Sequence, residues 1–141
     1  MTSMTIKKLS DVEFGAELPA FTPDTALSKT SRFAEVVGWG LGGRFSDHEA
    51  ARKEGFPGAL VPGVMSQGFL VAMIHAWAPD AEIRFVDTVF RSPVVADEPC
   101  RITGVVTDIK EDESIVEIDL TVTNEKGETR VFGTAQVFIP A

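Results

Sequence analysis

Cysteine is nearly missing from this chain: Cys100 is the one thiol in 141 residues. An intramolecular disulfide and a cysteine-based zinc site are therefore excluded. Long apolar runs are missing too. The most apolar stretch, around residues 68–74, falls far short of the ~20 residues that a membrane-spanning helix needs. No apolar core follows Lys7 and Lys8, so no secretory signal is expected and a cytoplasmic protein is. Basic charge is scarce: 13 Lys and Arg stand against 21 Asp and Glu, a net charge of −8. That balance disfavours nucleic acid, whose binders need a basic face to displace counterions, and it disfavours an anionic membrane surface. No internal repeat, low-complexity tract or long linker divides the chain.

What is present is the composition of an ordinary globular domain, 44% hydrophobic and 24% charged. A chain of this length buries roughly two thirds of its unfolded surface and needs no metal to hold it together. Residues 1–16 read as a loose lead-in and 17–141 as one domain.

The pattern of elements is α+β. Residues 18–27 suggest a first strand, bent or at an edge because of Pro19 and Pro23. Ser28, Thr30 and Ser31 offer N-caps for a short helix over 32–37. GWGLGG at 38–43 cannot hold a helix and reads as a loop. Asp47 caps a second short helix over 48–54, and Gly55 stops it. Residues 64–77 are apolar nearly all round, which predicts a buried helix. After it the period changes to two. Val116, Ile118, Leu120 and Val122 alternate with polar residues, NEKG at 124–127 makes a turn, and Val131, Gly133, Ala135, Val137 and Ile139 share the next inward face. Strands over 81–91 and 101–109 complete an expected antiparallel meander, its sheet wrapped around the one long helix.

Two blocks carry a family resemblance. DHEAARKEGFPGALVPG at 47–63 resembles the overhang and helix-opening segment of MaoC-like hot-dog hydratases and dehydratases. RFVDTVFRSPV at 84–94 resembles that family's first long central strand, with Asp97 at the following turn. The resemblance spans residues 17–140 and implies a hot-dog fold, usually dimeric. It implies an acyl thioester substrate, on CoA or an acyl carrier protein, hydrated across a 2,3 double bond without a cofactor. It also implies an Asp/His acid–base pair on the overhang, with the backbone N–H of the helix-opening Gly63 holding the thioester oxygen. That oxygen gains charge in the enolate-like transition state, and a helix N-terminus supplies ready donors.

The residues depart from the family's Asp-x-Asn-Pro-x-His-x-Asp pattern. With Asp47 as its last member, Phe45 stands at the histidine position, Gly40 at the aspartate, and Gly42 and Gly43 at Asn and Pro. A one-residue gap brings in Trp39 or Leu41, and Pro62 stands where a histidine often precedes the glycine. None of these side chains moves a proton.

The remaining candidates for proton transfer are Asp47, His48 and Asp87. Asp87 shares a strand side with Ile83, Phe85 and Val89, so burial of that side would raise its pKa. Each also has a structural reading: Asp47 as cap, His48 as a solvent-facing first-turn residue, Asp87 as a surface carboxylate. His75 lies at the far end of the long helix from the expected reaction centre. The expected substrate contacts are Gly63, Val64, Ser66 and Gln67 at the helix start and Phe45, Trp39 and Gly40 on the overhang. No metal is expected. Three functions compete: a hydro-lyase with displaced acid–base groups, a non-catalytic hot-dog subunit paired with a dyad-bearing chain, and a thioesterase-type enzyme. A homodimer or a heterodimer with a related hot-dog chain is expected in each.

Overall fold

In β3 (Ile115–Asn124) the alternation is realised without a break: Val116, Ile118, Leu120 and Val122 are at most 1% exposed. The structure, a computed structural model, describes residues 5–141. β3 pairs antiparallel with β2 (Cys100–Lys110) on one side and β4 (Thr129–Phe138) on the other. The β3–β4 turn is built on Asn124, whose Oδ1 accepts the Lys126 and Glu128 N–H groups, and Gly127 supplies the positive φ of 78° that closes it.

The sheet is not a plain meander. Its order is β1-β4-β3-β2, with β1 (Glu82–Phe90) at one edge and β2 at the other. Residues 91–99 therefore cross the whole sheet instead of forming a tight turn. β1 takes β4, the last strand of the chain, as its partner along nearly all its length, and so stands at the opposite edge from β2. The predicted first strand at 18–27 is also corrected. Residues 15–21 run along the outer edge of β2 with only two bridges, Glu17–Val105 and Phe21–Ile102. Pro19 and Pro23 lack the donors a continuous ladder requires.

Three helices precede the sheet: α1 (Leu27–Val36), α2 (His48–Lys53) and α3 (Gly63–Trp77). α1 starts five residues before the predicted 32–37, and Ser28, Thr30 and Ser31 lie inside it, not at its cap. Its first N–H groups are satisfied by carboxylates instead: Asp24 accepts from Ala26 and Asp97 from Leu27. α2 begins as predicted, with the Asp47 carboxylate accepting the Ala50 N–H at 3.0 Å.

α3 lies across the concave face of the sheet. Leu70, Met73, Ile74 and Trp77 form one buried stripe that meets the inward residues of β2, β3 and β4. Gly104 lets the helix approach closely, since a Cβ there would stand 2.9 Å from Met73 Cε. The helix is not enclosed all round, however. Val64, Gly68, Ala72 and Ala76 are exposed, so one side of an apolar helix has no cover within the described chain. No described helix is long and apolar enough to cross a membrane.

Of the expected lead-in, residues 1–4 lie outside the described residues, and 5–16 pack against the domain. Ile6 and Val12 are buried in the main core, and the Ile6 N–H donates to Trp77 O at 2.8 Å.

Candidate active site at the start of the long helix

The first turn of a helix leaves backbone donors without intrahelical acceptors. In α3 these belong to Gly63, Val64 and Met65, because Ser66 N–H is the first to find a carbonyl, Pro62 O at 3.0 Å. The preceding Pro62 offers no side-chain cap, so the donors stay available.

Of these three residues, Gly63 lines a cavity of about 350 Å³. Phe45, Leu60, Val61, Phe90, Val94 and Val131 give it apolar walls. Its polar lining is Gly63, Ser66, Arg91 and Ser92. Ser66 is 1% exposed, and its Oγ is the one buried side-chain oxygen without a hydrogen-bond partner among the described residues. A buried hydroxyl left unpaired costs roughly 1–3 kcal/mol, which a ligand oxygen in the cavity would recover. Phe90 packs its ring on Gly63: a Cβ there would lie 3.1 Å from two ring carbons. Glycine at this position thus serves a close approach rather than an unusual φ.

The overhang supplies a wall, not chemistry. Phe45 stacks on Trp39 at 4.9 Å between ring centroids, and Trp39 meets Phe33 edge-on at 5.7 Å. Trp39 therefore backs the wall without lining the cavity. Gly40 sits in the exposed loop with φ 79°, away from the cavity lining. Gln67 is likewise engaged elsewhere: its Nε2 donates to Thr88 Oγ1 at 3.1 Å and ties α3 to β1. Val64 is exposed beside the site and does not line the cavity.

None of Asp47, His48 and Asp87 lines the cavity. Asp47 is occupied as the α2 cap. His48 is neither solvent-facing nor free. Its Nδ1 accepts the Ala59 N–H at 2.9 Å, which leaves the ring proton on Nε2, and Nε2 meets Asp97 Oδ2 at 2.8 Å. Both ring nitrogens are thereby used. Asp97, at φ 68°, accepts from His48 and from Leu27 N–H at 2.8 Å. The His48 hydrogen bond first, and the Leu27 N–H second, hold its carboxyl below the usual carboxylate range. This clamp joins the starts of α1 and α2, the 58–59 turn and the 95–97 turn. It sits next to Leu60 and Val61, whose backbones pair with Val95 and Val94 to form the cavity wall.

Asp87 lies exposed on the convex face of the sheet, in a groove with Asp119 and Phe132. A register shift between Ile83 and Phe85 separates it from the side expected from simple alternation. Past that irregularity Val86, Thr88 and Phe90 face the helix, while Phe85, Asp87 and Val89 face outward.

No described cluster of His, Cys, Asp or Glu could hold a metal. Burial pushes the Cys100 thiol up to about 11, so it stays neutral and is a poor nucleophile. Sequence reasoning missed Arg91 and Ser92 as cavity residues and the His48–Asp97 pair. The pair spans 49 residues, and no local pattern marks it.

Comparison with solved structures places this fold among hot-dog proteins. The unliganded R-hydratase PhaJ1 from Pseudomonas aeruginosa superposes with a TM-score of 0.84 at 20% identity, covering 95% of this chain and 86% of that one. The ChsH1–ChsH2 complex from Mycobacterium tuberculosis gives 0.80 at 18% identity, covering 90% and 98%. The C-terminally truncated HadBC (3R-hydroxyacyl-ACP dehydratase) complex from Mycobacterium tuberculosis gives 0.69 at 16%, covering 89% and 96%. These likenesses speak for the fold. No curated protein matches this chain. The MaoC-like domain model matches residues 46–128, more than half of the chain, and includes α2, the helix-opening glycine, α3 and the first three strands. The chain belongs to the MaoC-like domain family.

Proposed function

We propose that this chain binds an acyl thioester in the α3 cavity as the non-catalytic half of a two-chain hot-dog hydro-lyase. One observation carries the reading. The cavity keeps the donors that would hold a thioester oxygen, Gly63 N–H and Ser66 Oγ, while no carboxylate or imidazole lines it. Addition of water across a double bond needs a group that takes a proton and one that gives it. Asp47, His48 and Asp87 are each spent or remote, so a second chain is the source of that pair. The same gap disfavours a thioesterase, which needs a base for the attacking water.

Two surfaces support pairing. The outer edge of β1 has no partner strand among the described residues, and Phe85, Val89 and Phe90 are about half exposed there. Val64 lies further round α3 on the same side, next to Gly63 and Gln67, which touch β1. A bare apolar edge strand is a liability unless another chain covers it. Hot-dog relatives of similar fold occur in two-component complexes, ChsH1–ChsH2 and HadBC.

The test is kinetic and thermodynamic together. Purified alone, the chain should bind saturated acyl-CoA in calorimetry yet leave the enoyl-thioester absorbance of 2-enoyl-CoAs unchanged. Co-expression with a dyad-bearing MaoC-like chain should give a complex that turns them over. Turnover by the isolated chain would sink the non-catalytic reading.

A further inference from the structure

Arginine is usually matched in this protein. Five of the seven arginines lie within 3.4 Å of a glutamate carboxylate. Arg91 and Arg101 make no ion pair and no side-chain hydrogen bond among the described residues, and of these two only Arg91 lines the α3 cavity. In a chain of net charge −8, an unmatched cation at the one cavity with an orphaned buried hydroxyl is not explained by charge balance.

The backbone holds Arg91 at that place. The N–H groups of Arg91 and Ser92 both donate to Arg130 O at 3.0 Å, which anchors the end of β1 to β4. The preceding residue, Phe90, packs on Gly63, so the Arg91 backbone stands beside the start of α3 and its long side chain extends from there along the cavity it lines. The charged and polar lining is made only of donors and hydroxyls: Gly63 N–H, Ser66, Arg91 and Ser92. Such a set has more donor capacity than one thioester oxygen needs. The cavity, about 350 Å³, is at the small end of ligand pockets, which run roughly 300–1,000 Å³. A short acyl chain fits it, with its far end still within reach of the wall.

We infer that Arg91 makes this pocket selective for a short acyl group that carries its own carboxylate. The inference rests on the thioester reading above. A carboxylate meets the flat guanidinium fork through two parallel hydrogen bonds, a match that a point charge lacks. An uncharged alkyl end leaves Arg91 unmatched and gains nothing from it.

Calorimetry on the full chain with succinyl-CoA and butyryl-CoA tests this, since the two acyl groups have equal carbon count and differ in the terminal carboxylate. Succinyl-CoA should bind about tenfold tighter, the scale of one charge-assisted contact, and the difference should shrink with added salt. Arg91→Met should weaken succinyl-CoA binding until the two ligands are equal, and Arg91→Lys should restore part of the difference. Arg91 is exposed, so both variants should melt like the wild type. Equal affinities in the wild-type protein overturn the inference. So does an Arg91→Met variant that weakens both ligands alike, because Arg91 would then read the phosphates of the carrier. Failure of both thioesters to bind the folded wild-type chain defeats the thioester reading itself.

Discussion

Ser66 separates stability from binding at a single atom. Its Oγ is buried without a partner, so folding gains nothing from it. Ser66→Ala should leave the melting temperature unchanged or raise it, by up to about 1 kcal/mol in stability. The same change should weaken acyl-thioester binding, and calorimetry beside a thermal melt reads both. His48 was a proton-transfer candidate in the sequence, and its chemistry is real but already engaged. Nδ1 holds Ala59 and Nε2 holds Asp97. The sequence shows a histidine after a capping aspartate. It does not show that residues 11 and 49 positions further on claim both nitrogens.

At the scale of elements, the clamp around Asp97 ties two helix starts to two turns. The folded carboxyl titrates below its ordinary value of 3.8. Its contribution to stability is therefore full above that value and disappears as pH falls through the lower, folded-state value. Asp97→Ala should cost about 1 kcal/mol near neutrality, modest because the side chain is half exposed. The gap to wild type should close below pH 3.8, as urea melts at a series of pH values would show. β4 has its own sensitive point. A Cβ on Gly133 would run into the backbone of Asp87 and Thr88 where β1 crosses it. Gly133→Ala should destabilise by about 1–3 kcal/mol, since main chain cannot step aside as a side-chain tip can. The period of two predicted β3 and β4 well because both have one buried and one open face. It failed in β1, where one irregularity before Phe85 reverses the facing of every later residue.

For the whole molecule, the open questions concern the uncovered surface. An apolar β1 edge beside an uncovered stretch of α3 is the interface expected for a second hot-dog chain. Val89→Lys places a charge on that edge without entering the core, as Val89 is 49% exposed. The variant should remain folded but shift to monomer in size-exclusion chromatography with light scattering. An unchanged oligomer would exclude this edge as the contact.

The sequence by itself determined the long helix, the alternating strands, the α2 cap, the acidic balance and the missing acid–base pattern. Each follows from residue type and short-range spacing, which the backbone reads locally. The tertiary structure alone decided the strand order, since β1 finds its partner in β4, the last strand of the chain. It also decided that Asp97 caps α1 from 70 residues away and that His48 is a strut. It alone brought Phe90 and Arg91 to the start of α3. Those relations depend on which surfaces meet after the chain has crossed the sheet.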